Sequence, residues 1–227
     1  METEEGTIAV VANQIVQARH KLDPRQQKVI AWALGQTARD DTDFLRHRLS
    51  VAEFAELIGS TSGSLFKEME SVTTSLLQSI VEIRQNEGDR SRIKFQWLSE
   101  CRYLDGEGCV DLQFHDRLKP YLLELQSRFT KIRLERFFKL RSSFSIRFYE
   151  RVEMQRGQSR QTWAMTLPEL RDWLGLEATA YSAFSALRAY VLDRAQRELD
   201  AKSDWSFSFL TIKTGRKITG IEFTIRP

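Results

Sequence analysis

"TLPELRDWLGLEATAYSAFSALRAYVLDRAQRELDAKSDWSFSFLTIKTGRKITGIEFTI", residues 166–225, contains a short helix, a long amphipathic helix and a hairpin, in that order. Thr166 can cap the free N–H groups of the first turn, and Gly175 stops the short helix. From residue 181, Phe184, Leu187, Val191, Ala195 and Leu199 recur at helical spacing and predict one buried face. "WSFSFLTIKT", the turn "GRK" and "ITGIEFTI" then read as two strands around a tight turn. Just upstream, "SSFSIRFYERVEMQ" has Phe144, Phe148 and Val152 on one stripe, with Ile146 and Tyr149 also buried, and "QTWAM" is strand-like. Helix, strand, helix, helix, hairpin is the order of a winged helix-turn-helix.

The same order occurs earlier. "DPRQQKVIAWALGQ" (23–36) predicts a helix with Asp23 as N-cap and Pro24 at the first helical position. After the charged loop "TARDDTD" (37–43), "RHRLS" (46–50) reads as a strand. "VAEFAELIG" (51–59) is a helix closed by Gly59, "STSG" is a turn, and "SLFKEMESVTTSLLQS" (64–79) is a second helix. "IVEIRQ", "RIKFQWLSECRYL" and "GCVDLQF" are strand-like, with "NEGDRS" and "DGEG" as turns. "HDRLKPYLLELQ" (115–126) predicts a closing helix, kinked or broken at Pro120. The expected fold class is therefore α+β, two tandem winged helix-turn-helix domains over residues 1–126 and 127–227.

Charge separates the halves. Residues 1–125 carry 15 Lys and Arg against 20 Asp and Glu, a balance of −5, whereas residues 126–227 carry 19 against 11, a balance of +8. Residues 128–160 concentrate ten basic groups with three acidic ones, Glu135, Glu150 and Glu153. Such a block attracts polyanions by counterion release, and nucleic acid is the commonest of them; a solvated basic face is the plain alternative.

Particular residues sharpen this. Lys213, Arg216 and Lys217 crowd the tip of the last hairpin around Gly215, where they repel one another unless an anion binds. At the start of the long helix, the small and polar Ser182, Ser185 and Ala189 beside Tyr190, Arg188 and Arg194 suit entry into a major groove. Arg141, Ser142 and Ser143 stand at a helix N-terminus, where the dipole favours an anion. Arg147 and Arg151, four apart, can bury their stems and present their heads to phosphates. The corresponding helix of the first repeat has Ser64 and Lys67 but also Glu68 and Glu70, which predicts a weaker groove contact or a partner surface.

Other chemistries find little footing. Cys101 and Cys109 are expected as free thiols, and with His115 they match no zinc spacing. His20, His47 and His115 are isolated, no G-x-x-x-x-G-K-[ST] or G-x-G-x-x-G loop occurs, and the carboxylates are scattered. We expect no enzyme, no cofactor and no metal. There is no run of about 18 apolar residues, and the acidic start "METEEGT" does not suit a targeting peptide, so a soluble cytoplasmic protein is expected.

Three blocks carry a family resemblance. "NQIVQARHKLDPRQQKVIAWAL", "YLDGEGCVDLQFHDRLKPYLLELQSRFTKIRLERFFKLRSSFSIRFYERV" and the end, "LPELRDWLGL" with "VLDRAQRELDAKSDWSFSFLTIKTGRKITGIEFTI", resemble the replication initiator proteins of iteron-containing bacterial plasmids. The likeness runs over roughly residues 10–226. It implies a monomer that grips double-stranded DNA at direct repeats, helps to melt an adjacent A·T-rich region, and recruits the host initiator ATPase and replicative helicase. It also implies a homodimer through the first domain that represses its own gene. The implied DNA-binding residues here are Tyr181, Ser182, Ser185 and Arg188, the wing Lys213, Arg216 and Lys217, and Arg141, Ser142, Ser143 and Arg147. Where relatives commonly carry further basic residues, this chain has Ala183 and, after Arg188, Ala189 and Tyr190.

Overall fold

Asp23, Ser50 and Thr166 each end an extended segment and start a helix, and each does so through a reciprocal capping box. In each case the cap side chain accepts from backbone N–H groups of the first turn. Gln26, Glu53 or Glu169 reaches back to the cap's own N–H. Each cap contributes about 1 kcal/mol. In this computed structural model the described residues are 7–227 other than 38–40, 42, 45, 85–90, 105, 124, 126 and 127. The acidic start, most of the loop 37–43, nearly all of the turn 86–91, Asp105 and both residues flanking the expected domain boundary therefore lie outside the described residues.

The chain runs β1 (Ile8–Ala12), α1 (Asn13–Gln17), β2 (Arg19–His20), α2 (Pro24–Gly35), β3 (His47–Ser50), α3 (Val51–Ile58), α4 (Leu65–Gln78), β4 (Ile80–Arg84), β5 (Arg92–Gln96), β6 (Leu98–Leu104) and β7 (Cys109–Phe114). A 3-10 turn leads into α5 (Lys119–Leu122), followed by β8 (Phe129–Arg133) and α6 (Leu134–Lys139). Then come α7 (Ser143–Gly157), β9 (Thr162–Thr166), α8 (Leu167–Trp173), α9 (Phe184–Leu187), α10 (Asp193–Lys202), β10 (Ser206–Thr214) and β11 (Lys217–Arg226).

Two winged helices stand in tandem. In the first, α2, α3 and α4 are followed by the hairpin β6–β7, and the sheet order is β3-β7-β6. In the second, α7, α8 and α9–α10 are followed by the hairpin β10–β11, and the sheet order is β10-β11-β9. Both put the hairpin's second strand in the centre and pair it with the short strand before the second helix. In the second unit, Phe148 of α7 stacks on Phe207 at 4.6 Å between ring centroids and Trp163 stacks on Phe223 at 4.8 Å. In the first, Leu49, Phe54, Met69, Leu76 and Val110 are fully buried. Each such side chain contributes about 1.5–3 kcal/mol.

Several elements differ from the sequence expectation. Residues 92–104 are two strands in different sheets, β5 beside β4 and β6 beside β7, and the chain breaks at buried Trp97. Among the described residues of 115–126 there are a 3-10 turn and four α-helical residues, with Pro120 near the start of the α-helix rather than inside a longer one. β1, an apolar stretch outside the elements expected from the sequence, pairs antiparallel with β8. The long helix begins at Phe184, not Tyr181. Tyr181 is left-handed at φ 48°, and a π-turn at Arg188–Leu192 joins α9 to α10.

Candidate nucleic-acid interface

The wing is the simplest part. Gly215 takes φ 61°, the left-handed conformation that closes the turn, and Thr214 pairs with Lys217 across it. Lys213, Arg216 and Lys217 are all exposed, and none makes an ion pair among the described residues. Three uncompensated cations on one turn leave a local positive potential suited to a phosphate backbone.

The start of the long helix is held from behind. Arg171 of α8 donates to the carbonyls of Glu177 (3.2 Å), Ala178 (3.2 Å), Ala180 and Tyr181 (3.0 Å), tying the turn between α8 and α9 into one piece. Tyr181 packs edge-on against Phe144 and tilts against Tyr190, each at 6.1 Å. Ser182 and Ala183 precede the helix, and with Ser185, Ala189 and Tyr190 they are exposed. Arg188 is exposed too, but it leans along the helix to Asp193 (3.5 Å) and over the Phe209 ring, so its charge is partly committed. Arg171 carries no sequence signal beyond its place in the helix-turn-helix, and its role emerges only from the structure.

The basic block departs from expectation. Arg133 and Arg136 pair with Asp204, Lys139 with Glu135, and Arg156 with Glu153. Arg128, Lys131, Arg141 and Arg160 remain exposed without an ion pair among the described residues. The helix N-terminus at Arg141–Ser143 already holds an anion. The N–H groups of Arg141 and Ser142 donate to the Glu198 carboxylate at 2.8 and 3.1 Å, and Lys202 adds a 2.6 Å contact. Burial opposes the charge on Glu198, but Lys202 and these backbone donors hold its carboxyl below the ordinary range. Ser142 is itself buried.

Arg147, expected to face phosphates, does not lie on a surface at all. It is only 3% exposed, and its guanidinium donates to Ala18 O (2.7 Å) and Trp173 O (3.4 Å), meets His20 Nε2, and pairs with Glu150 at 3.3 Å. Most of these partners come from distant parts of the chain, so the head is consumed inside the fold rather than offered to a phosphate. Arg151 is also largely drawn in, and burial beside Arg147 lowers it to about 10.

In the first unit, Ser64 and Lys67 are exposed at the start of α4, with Ser64 Oγ 3.1 Å from Ser62 Oγ. Glu68 does not stand alone as an opposing charge: Arg25 of α2 pairs with it at 3.1 Å. Cys101 and Cys109 are free, and burial pushes the Cys101 thiol up to about 12. No helix among the described residues is long and apolar enough to cross a membrane.

Fold and surface together define a protein of the tandem winged-helix class with a cationic second wing. The family models agree: "Initiator Replication protein, WH1" matches residues 8–153 and "Initiator Rep protein, WH2" matches residues 166–225. The chain belongs to the initiator replication protein family. An uncharacterised 27.6 kDa protein of Escherichia coli is 22% identical over 203 residues, covering 85% of this chain and 84% of its own. Among solved structures, the Pi initiator protein in complex with iteron DNA is similar at TM-score 0.78 and 18% identity, with 98% of both chains covered. Domains 2–3 of RctB match at TM-score 0.49 and 14% identity, over 90% of this chain and 81% of that one.

Proposed function

We propose that the chain is a DNA-binding plasmid replication initiator that binds direct repeats at its origin in the cytoplasm. Residues 1–126 and 127–227 act as its two DNA-contacting units. The observation that carries this is the pair of winged helices of matching topology, the second bearing on its wing three exposed cations that make no ion pair among the described residues. The Pi initiator, which shares the fold, is solved with iteron DNA, and the family models supply the replication context.

Phosphate contacts from Lys213, Arg216, Lys217 and Arg141 fix the register, with Ser143 near the last of these. Tyr181, Ser182, Ser185 and Arg188 approach base edges. Ser64 and Lys67 make the first unit's contact. Strain placed on the bent duplex promotes opening of an adjacent A·T-rich segment. The host initiator ATPase and replicative helicase are then recruited, while a homodimer through the first domain represses its own gene. No step calls on a cofactor or on catalysis by the chain itself.

The test is maintenance of a plasmid that carries the bound repeats, in a host given this gene only in trans. Replication that depends on the gene supports the proposal. Sequence-specific binding without any replication makes the protein a transcriptional repressor instead.

A further inference from the structure

We infer that the joint between the two winged helices, built from Arg147 on α7 and Asp172 and Trp173 on α8, is a positioning element. It fixes the separation of the two reading helices, and so the internal spacing of the repeat that the protein selects. This rests on the proposed function, in which both units touch DNA.

The joint is bonded at several points. Arg147 reaches across to Ala18 and His20. Trp173 Nε1 donates to Val16 O at 2.8 Å. Asp172 is gripped by Arg19 (2.8 Å) and Arg84 (3.3 Å), which lie on the paired strands β2 and β4. Gly175, at φ 65°, comes so close that a Cβ there would lie 2.7 Å from His20 O. Residues 16–20 of the first unit are thus clamped to the second helix of the second unit.

From that helix the link to DNA is stiff. Arg171 binds four carbonyls of the following turn, so α9 cannot swing independently of α8. A clamp made of directional hydrogen bonds around a buried guanidinium holds one arrangement or breaks; it does not slide. One inserted base pair moves the second contact by about 3.4 Å and about 35° around the duplex, more than such a joint can follow.

The probe is the duplex recovered by selection from a random pool, with one base pair inserted or deleted midway between its two protected segments. For the wild-type chain we expect about 100-fold weaker binding to the altered spacings, because one unit loses its grip. In Asp172→Asn/Trp173→Phe the penalty is expected to shrink below about tenfold, since the joint loses the Asp172 ion pairs and the Trp173 hydrogen bond and can yield to the altered spacing. Trp173→Phe keeps an aromatic ring against Phe148, and Asp172 is partly exposed, so the fold is expected to survive. Should that variant fail to fold, Arg19→Ala/Arg84→Ala removes the Asp172 ion pairs from the other side, at one half-buried and one exposed position. Asp172→Glu, with Trp173 left in place, keeps a carboxylate for Arg19 and Arg84 and is expected to keep the sharp spacing preference. The ratio between spacings is read on one preparation, so a loss of folded fraction does not move it. A wild-type chain indifferent to spacing, or a variant as sharp as wild type, overturns the inference while leaving duplex binding intact. A wild-type chain that binds no duplex overturns this inference and the proposed function together.

Discussion

Neutralising the wing by Arg216→Ala/Lys217→Ala is expected to weaken binding to every duplex and to flatten its salt dependence. Both side chains are exposed, without ion pairs among the described residues, so the cost to folding is small, within about 0.5 kcal/mol. Each phosphate that is no longer neutralised lowers the slope of log K against log salt by about 0.9, hence about 1.8 for the pair. Between 50 and 200 mM salt, a fourfold change, wild type should therefore lose about tenfold more affinity than the variant. Fluorescence anisotropy titrations on one specific and one scrambled duplex at four salt concentrations measure this. Equal slopes for variant and wild type on both duplexes would refute the phosphate role of the wing. A change confined to the specific duplex would instead make the wing a base reader.

Arg147→Met should destabilise the fold by about 3 kcal/mol, because it leaves Glu150 unpaired and the carbonyls of Ala18 and Trp173 without their donor. Urea denaturation checks it, and a loss under about 1 kcal/mol contradicts the buried role. Burial raises the Glu150 carboxyl from 4.5 to about 7 against the pull of Arg147. Its stability contribution is therefore complete below pH 4.5 and disappears as pH rises through about 7. Glu150→Gln should lose that slope, so its stability relative to wild type rises between about pH 5 and about pH 8; a constant difference contradicts the shift. His20, lowered well below 6.5 by burial and by Arg147, works in the opposite direction: its contribution is present above pH 6.5 and lost toward acid. Arg171→Ala should release the turn before α9 and lower the specific-to-nonspecific affinity ratio by about tenfold, with scrambled-duplex binding unchanged. Loss on both duplexes alike would place its role elsewhere.

What could be read from the sequence was local. The helix caps at Asp23 and Thr166, the stop at Gly59 and the turn at Gly215 are signals within a few residues, and the order of elements they mark revealed both winged helices. The wing's cations were legible for the same reason, since charges on a tight turn have few neighbours to neutralise them. Contacts over long separations were not legible. Arg147 sits in a segment that reads as a basic amphipathic helix, yet its carbonyl partner Ala18 is 129 residues away. Likewise, the anion site at Ser142 is filled by Glu198, 56 residues on. The long helix starts three residues later than its pattern suggests, because Tyr181 continues the apolar spacing while its left-handed backbone ends the preceding turn.

Selection of bound duplexes from a random DNA pool at two salt concentrations shows whether both winged helices read one repeat. Recovery of one asymmetric motif of about two helical turns, retained at the higher salt, is the predicted result, because two linked winged helices then read one repeat. A palindrome, or salt-sensitive binding with no motif, would contradict it.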